Sequence, residues 1–188
     1  MSAFLADLRR HLGKDQTLTF AKGLKILASE YGVQALACYR LGRWLMHSIR
    51  RPYLWPVLPI GWPLYWLLSR YVRYAFGISL HLTAEIGPGL YIGHFGGILV
   101  SRCRMGENCS IAQSTHIAAD AAGRGPSLGD RVWVGALAQI IGPHRIGSRS
   151  TVSAAAVVQR DIPENALCMG NPARVVLRTY DNTEILGV

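Results

Sequence analysis

The sequence predicts a mainly β protein, a parallel β-helix of six-residue repeats preceded by an α-helical region. Three observations carry that expectation. Aliphatic residues recur at a spacing of six through most of the second half of the chain. Glycine supplies 20 of the 188 residues while charged residues make up only 16%, which argues against a helical bundle or a coiled coil. Charge is also uneven: eleven basic and three acidic side chains precede residue 81, against nine and eight after it, and four of the five tryptophans lie in the first part. The formal net charge is +9 and half the residues are hydrophobic, so a disordered chain is excluded. The length suits one domain of ordinary size with room for a short appendage.

Taken in order, residues 3–12 and 19–49 read as helical. In the second segment Phe20, Leu24, Leu27, Tyr31, Leu36, Tyr39, Leu45 and Ile49 form one apolar stripe, with Lys22, Lys25, Arg40, Arg43 and Arg50 opposite. Residues 53–68 follow without a single charge, rich in Trp and Tyr and interrupted by Pro56, Pro59 and Pro63, with Arg50, Arg51, Arg70 and Arg73 on either side. A spanning helix needs about 20 apolar residues, and prolines break helices. Residues 50–73 are therefore expected to meet a membrane surface peripherally, rings at headgroup depth and arginines on anionic lipid. The alternative is that they pack on the rest of the protein. No nucleic-acid-binding module is present, so the basic charge does not predict a nucleic-acid partner.

Cys38, Cys103, Cys109 and Cys168 form no C-x-x-C pair and no cluster with histidine, and the N-terminus lacks a secretory signal. The expectation is reduced thiols in a cytoplasmic protein, with peripheral contact at the inner face of the membrane and no metal.

The repeat begins at Leu80. Leu80, Ile86, Ile92 and Ile98 are spaced by six, as are Met105, Ile111 and Ile117, and again Leu128, Val134, Ile140, Ile146, Val152 and Val158. Four places later come small or apolar residues (Cys109, Thr115, Val132, Ala138, Ser150, Ala156), and glycine often follows the anchor itself. Each repeat predicts one flat side, and three make a triangular coil of about eighteen residues with the aliphatic anchors inside. One extra residue enters between Ile98 and Met105, and residues 119–126 bulge out as a loop. The predicted coils are 86–104, 105–127, 128–145 and 146–163. The chain thus divides into a basic helical region (1–79), the β-helix (80–178) and a tail (179–188).

Four stretches of this repeat carry a resemblance. They are Ala84-Glu85-Ile86-Gly87-Pro88-Gly89-Leu90-Tyr91-Ile92-Gly93-His94, Asn108-Cys109-Ser110-Ile111-Ala112-Gln113, Val134-Gly135-Ala136 and Gly170-Asn171-Pro172-Ala173-Arg174-Val175-Val176. They resemble the left-handed β-helix acyltransferases, in particular serine acetyltransferase and the related exopolysaccharide O-acetyltransferases. The resemblance implies an acetyl-CoA-dependent homotrimer whose clefts are shared by neighbouring prisms. It makes His94 the general base that deprotonates an acceptor hydroxyl, a task suited to imidazole because it titrates near neutrality. The repeat arithmetic independently sets Gln113, Ala136 and Ala154 in the column of His94, a shallow groove in which the resemblance implies that the pantetheine arm lies. Arg160, Arg174 and Arg178 lie where the family binds the phosphates of coenzyme A, which guanidinium suits by bidentate donation.

The sequence departs from serine acetyltransferase at the acceptor. Two aspartates of that family align with Ser79 and Gly93, and its loop Arg-His pair aligns with Arg124 and Gly125. Ser79, Gln113 or a backbone carbonyl is left to hold the His94 ring. Ser79, His116, Asp120 and Arg124 are the candidate acceptor-binding residues, and His81 and His144 are expected to be structural. The main expectation is a sugar hydroxyl of a surface polysaccharide or its lipid-linked precursor as acceptor. Alternatives are serine O-acetylation in cysteine biosynthesis and a non-catalytic membrane-docked trimeric scaffold. A carbonic anhydrase on the same prism would need three converging histidines, and no His-x4-His spacing occurs.

Overall fold

A computed structural model describes residues 2–12, 19–49, 51–94 and 96–186, without the side chains of Ser2 and Pro52. Lys14, Asp15 and Arg50, counted above, lie outside the described residues. The β region is a left-handed prism of three parallel sheets. The first sheet stacks β1 (Ile78–Leu80), β4 (Ile98–Val100), β7 (His116–Ala118), β10 (Gln139–Ile141) and β13 (Val157–Val158). The second stacks β2 (Glu85–Ile86), β5 (Arg104–Met105), β8 (Ser127–Leu128) and β11 (Arg145–Ile146). The third stacks β3 (Tyr91–Ile92), β6 (Ser110–Ile111), β9 (Trp133–Val134), β12 (Thr151–Val152) and β14 (Leu167–Met169), closed by antiparallel β15 (Arg174–Leu177).

The inward columns follow the predicted anchors with one correction. Val100, not Ile98, pairs with Ile117 and through it with Ile140 and Val158. Ile98 instead falls in the column of small residues, since the Leu99 N–H bonds the Thr115 carbonyl, and His116 and Gln139 repeat the pattern to Ala138 and Ala156. The step from Ile92 to Val100 is therefore eight residues and the step to Met105 five. The added length sits at the corner that carries His94, not after Ile98. Spacing alone could not separate the two, because the anchors on either side are equally aliphatic. A partial fifth coil follows the four predicted ones within the predicted bounds of the β-helix, with Ile162 bridging to Ile146 and Cys168 pairing with Val152.

The helical region is more segmented than its apolar stripe predicts. α1 (Ser2–Leu12) is followed by α2 (Phe20–Ser29) and α3 (Tyr31–Ser48), separated at Glu30, whose extended backbone (φ −101°, ψ 113°) ends one helix and starts the next. α2 buries none of its residues, whereas α3 buries Val33, Leu36, Tyr39 and Leu45. A 3-10 turn (Pro52–Val57) then leads into α4 (Leu58–Phe76). The prolines do not divide residues 53–68 as expected. Pro56 lies in the 3-10 turn, Pro59 in the first turn of α4 where no N–H is needed, and α4 continues through Pro63. Gly77 closes α4 in the left-handed conformation (φ 64°), which a side chain would strain.

Helices and prism share one hydrophobic core, in which Leu36, Tyr39, Val72 and Phe76 join the prism interior. An ionic clamp adds direction to that packing. Buried Asp7 on α1 accepts from Arg40 Nε (2.9 Å) and Nη2 (3.2 Å) on α3 and from the backbone N–H groups of Gly89 (2.8 Å) and Leu90 (3.0 Å). Arg40 also donates to the carbonyls of Ile86 and Gly87, and Arg10 to Asn108 and Leu186 and to Ser110 Oγ. The tail is thereby held too: Arg10 of α1 reaches the last carbonyl of α5 (Thr183–Leu186), and Asn182 is buried with its amide on the Arg131 carbonyl.

Candidate functional site

His94 stands on the enlarged corner between β3 and β4. The corner is fastened behind it: Gly96 N–H donates to the Phe76 carbonyl (2.8 Å) and Ile98 N–H to that of Gly77 (3.0 Å), at the C-terminal end of α4. The imidazole is exposed and makes no side-chain hydrogen bond among the described residues. A ring free on both nitrogens can take a proton at one and be oriented by a bound partner at the other.

Below this corner the backbone ladder defines a groove. Ser114 N–H donates to the Gly96 carbonyl (2.8 Å), Leu137 to Gln113 (3.0 Å) and Ala155 to Ala136 (2.7 Å). The column is therefore Gly96, Gln113, Ala136, Ala154, and it corrects the register expected for His94. His94 belongs to the two-residue enlargement immediately above the column. The residue after each member is left-handed: Gly97 (φ 66°), Ser114 (55°), Leu137 (63°) and Ala155 (57°). Three ladder steps of about 4.8 Å set Ala154 roughly 14 Å below the His94 corner, a length that suits an extended pantetheine arm. Only Gln113 projects a polar side chain into that column.

The other candidates fall elsewhere. Ser79 points outward from β1 and lines a cavity of about 40 Å³ with Cys38, Tyr65, Ser69, Arg73 and His81, and it makes no hydrogen bond to His94. His116 shares the outward column of Ser79 and Leu99 and is exposed. His81 bonds Thr83 Oγ1 at 2.8 Å, a local corner contact. Arg160 and Arg174 are exposed near the end of the prism, whereas Arg178 lines a groove on the second sheet with Arg145, Asp161 and Glu164. His144 packs against the base of the loop near Gly142 and Asp120.

Asp120 and Arg124 close the loop after β7 on itself. The Asp120 carboxylate accepts from the backbone N–H groups of Ala122 (3.0 Å) and Arg124 (2.9 Å) and from Arg124 Nε (2.9 Å). The Arg124 amide, then its guanidinium, hold the Asp120 carboxyl below the usual carboxylate range. Gly125 lies so near the Arg102 carbonyl that an added Cβ would sit 2.0 Å from its oxygen, so this loop has no space for a side chain at that position. Strand β7 (His116–Ala118) runs between the turn at Gln113 and Ser114 and the loop at Asp120, so the loop and the His94 corner lie at opposite ends of the first sheet.

Sequence reasoning did not single out Phe76, Gly77 and Gly96, which hold the corner. The Gly96-Gly97 pair and the eight-residue step to Val100 were the available signals. Among the described residues, no group of three or more His, Cys, Asp or Glu side chains gathers as a metal site.

No family model matches the chain. Curated relatives and solved structures do. The serine acetyltransferase of Helicobacter pylori is 32% identical over 151 residues, covering 78% of this chain and 82% of the relative. That of Synechococcus elongatus is 32% identical over 161 residues, covering 84% of this chain and 62% of the relative. The chain spans half the length of the Escherichia coli relative. The solved structure of soybean serine acetyltransferase complexed with serine superposes with a TM-score of 0.75 at 30% identity, covering 93% of this chain and 68% of that one.

Proposed function

Because the chain belongs to the serine acetyltransferase family, we propose that it is an acetyl-CoA-dependent O-acetyltransferase with His94 as general base. The observation that carries this is the position of His94, an exposed imidazole on a fastened two-residue enlargement at the head of a groove almost bare of side chains. In the reaction His94 accepts the proton of the acceptor hydroxyl as its oxygen attacks the thioester carbonyl. The C–S bond breaks, and the imidazolium returns the proton to the departing thiolate, giving an ester and free coenzyme A. Gln113, Ala136 and Ala154 line the path of the thioester arm, with Arg160 and Arg174 as the phosphate contacts.

Serine is the acceptor this reading puts first, because the relatives named above are serine acetyltransferases and one is solved with serine. The carbohydrate acceptor and exopolysaccharide role expected from the sequence have no such support. A specific observation nonetheless favours a second reading, a hydroxyl acceptor without amino-acid groups: Ser79 and Gly93 carry no charge, and Gly125 cannot hold a side chain. The assembly proposed is a homotrimer, in which the Asp120–Arg124 loop of one prism faces the His94 corner of the next.

Coenzyme A release from acetyl-CoA, measured with serine, simple sugars and a lipid-linked oligosaccharide fraction, tests all of this. Serine-dependent release, reduced about 10²–10⁴-fold in His94→Ala, is the expected result. Release with a sugar alone would establish the second reading. Release that His94→Ala leaves intact would remove His94 from the chemistry, and acetyl-CoA binding without turnover for any acceptor would favour a scaffold.

A further inference from the structure

We propose that the outer face of α4, with the 3-10 turn before it, docks on an anionic lipid bilayer surface. α4 is apolar on both sides. Its inner face buries Gly61, Val72 and Phe76 against α3 and the prism. Its outer face carries Ile60, Leu64, Leu67, Tyr71 and Tyr74, spaced at i, i+4, i+7, i+11 and i+14, so they form one stripe. These residues remain between 47% and 75% exposed. Tyr53 and Trp55 in the turn and Trp66 beside the stripe widen it. A continuous apolar surface of this kind needs a partner.

Charge identifies the partner. From residue 31 to residue 84 the sequence holds six arginines and no aspartate or glutamate. Arg51 and Arg70 are exposed at the margins of the apolar face, whereas Arg73 lies on the side of α4 that lines the Ser79 cavity. Arg70 lies over the rings of Trp66 (5.0 Å) and Tyr74 (5.8 Å), and Arg51 donates to the Tyr53 hydroxyl (3.3 Å). Rings with guanidinium groups at their edges suit the headgroup region, where the rings enter and the cations meet phosphate. A second copy seated on the same face would set arginine against arginine with no carboxylate from this span to pair them, which disfavours a symmetric contact. Among the described residues, no helix is long and apolar enough to cross a membrane. The 19-residue helix, about 28 Å long, therefore lies in the plane of the surface.

The test is co-sedimentation of the full chain with phosphatidylcholine vesicles containing or lacking phosphatidylglycerol, together with tryptophan emission. Expected is binding that depends on phosphatidylglycerol, weakens with salt and shifts the emission to the blue. Arg51→Gln/Arg70→Gln should bind about thirtyfold more weakly, and Leu64→Glu/Leu67→Glu should not bind. Both variants alter exposed positions, and unchanged circular dichroism and thermal midpoint would show that they fold. Equal binding to both vesicles, or full binding by Leu64→Glu/Leu67→Glu, would overturn the proposal. So would a wild type that ignores lipid but loses mass by light scattering in Leu64→Glu/Leu67→Glu, because a second copy would then cover the face.

Discussion

At the scale of single residues, Gly125 most narrows what the loop after β7 can do. An added Cβ would meet a carbonyl oxygen of the backbone, not the end of a mobile side chain, so the loop itself must move. Gly125→His is therefore expected to lower stability by about 1–3 kcal/mol, as overpacking does, without raising turnover of serine. Urea unfolding checks the first part and coenzyme A release the second; a stable variant with faster serine turnover would show that the loop adapts. The cysteines are buried and free. Loss of hydration pushes the thiols of Cys103 and Cys109 up to about 12 and those of Cys38 and Cys168 to about 11, so each stays protonated at neutral pH. Labelling by a thiol reagent at pH 8 is expected only at the rate of unfolding. A fast-reacting fraction would reveal local opening.

At the scale of elements, α1 is held by charge as well as by packing. Asp7→Ala would leave Arg40 with two carbonyl contacts and an uncompensated charge, so it is expected to cost about 3–5 kcal/mol, measurable by urea unfolding. The same helix carries a pH-dependent element. His11 is half-buried against the Tyr91 ring, its Nδ1–H donating to the Asp7 carbonyl (2.8 Å), while its buried Nε2 has no hydrogen-bond partner among the described residues. Burial lowers its pKa below 6.5. As the pH falls through 6.5 the unfolded chain takes up the proton first, so stability is lost between that point and the lower folded value and is level beyond it. His11→Phe should flatten that slope in denaturation at pH 5 to 7; an unchanged slope would assign it to other groups. The elements of the prism were legible because an inward aliphatic residue every sixth place reports its own burial. Those of the helical region were not. The break at Glu30 is a backbone change that no side chain announces, and the burial of Asp7 depends on partners up to 83 residues away. The enlarged His94 corner was misplaced because Ile98 and Val100 satisfy the same interior equally well.

At the scale of the whole molecule, the candidate residues lie in two groups that one chain keeps apart, His94 above its groove and Asp120 with Arg124 at the far end of the first sheet. If a trimer makes each site from the corner of one prism and the loop of its neighbour, the groups can be separated genetically. His94→Ala and Arg124→Ala homotrimers should each be impaired. Co-expressed in equal amounts, they form interfaces at random, and about one quarter join an intact His94 corner to an intact loop, restoring about a quarter of wild-type activity. If His94 and Arg124 of the same chain worked together, no mixed assembly would contain a whole site and activity would stay at the level of the single variants. Full activity of the Arg124→Ala homotrimer would remove the loop from the site altogether. Light scattering on the mixed sample confirms that exchange took place, and it must give the mass of a trimer for the arithmetic to hold. The shared core predicts the companion result: with Leu36, Tyr39, Val72 and Phe76 packed into the prism interior, helices and prism should unfold in one transition. Loss of activity on dilution without loss of structure would then report dissociation of the proposed trimer and not unfolding of its chains.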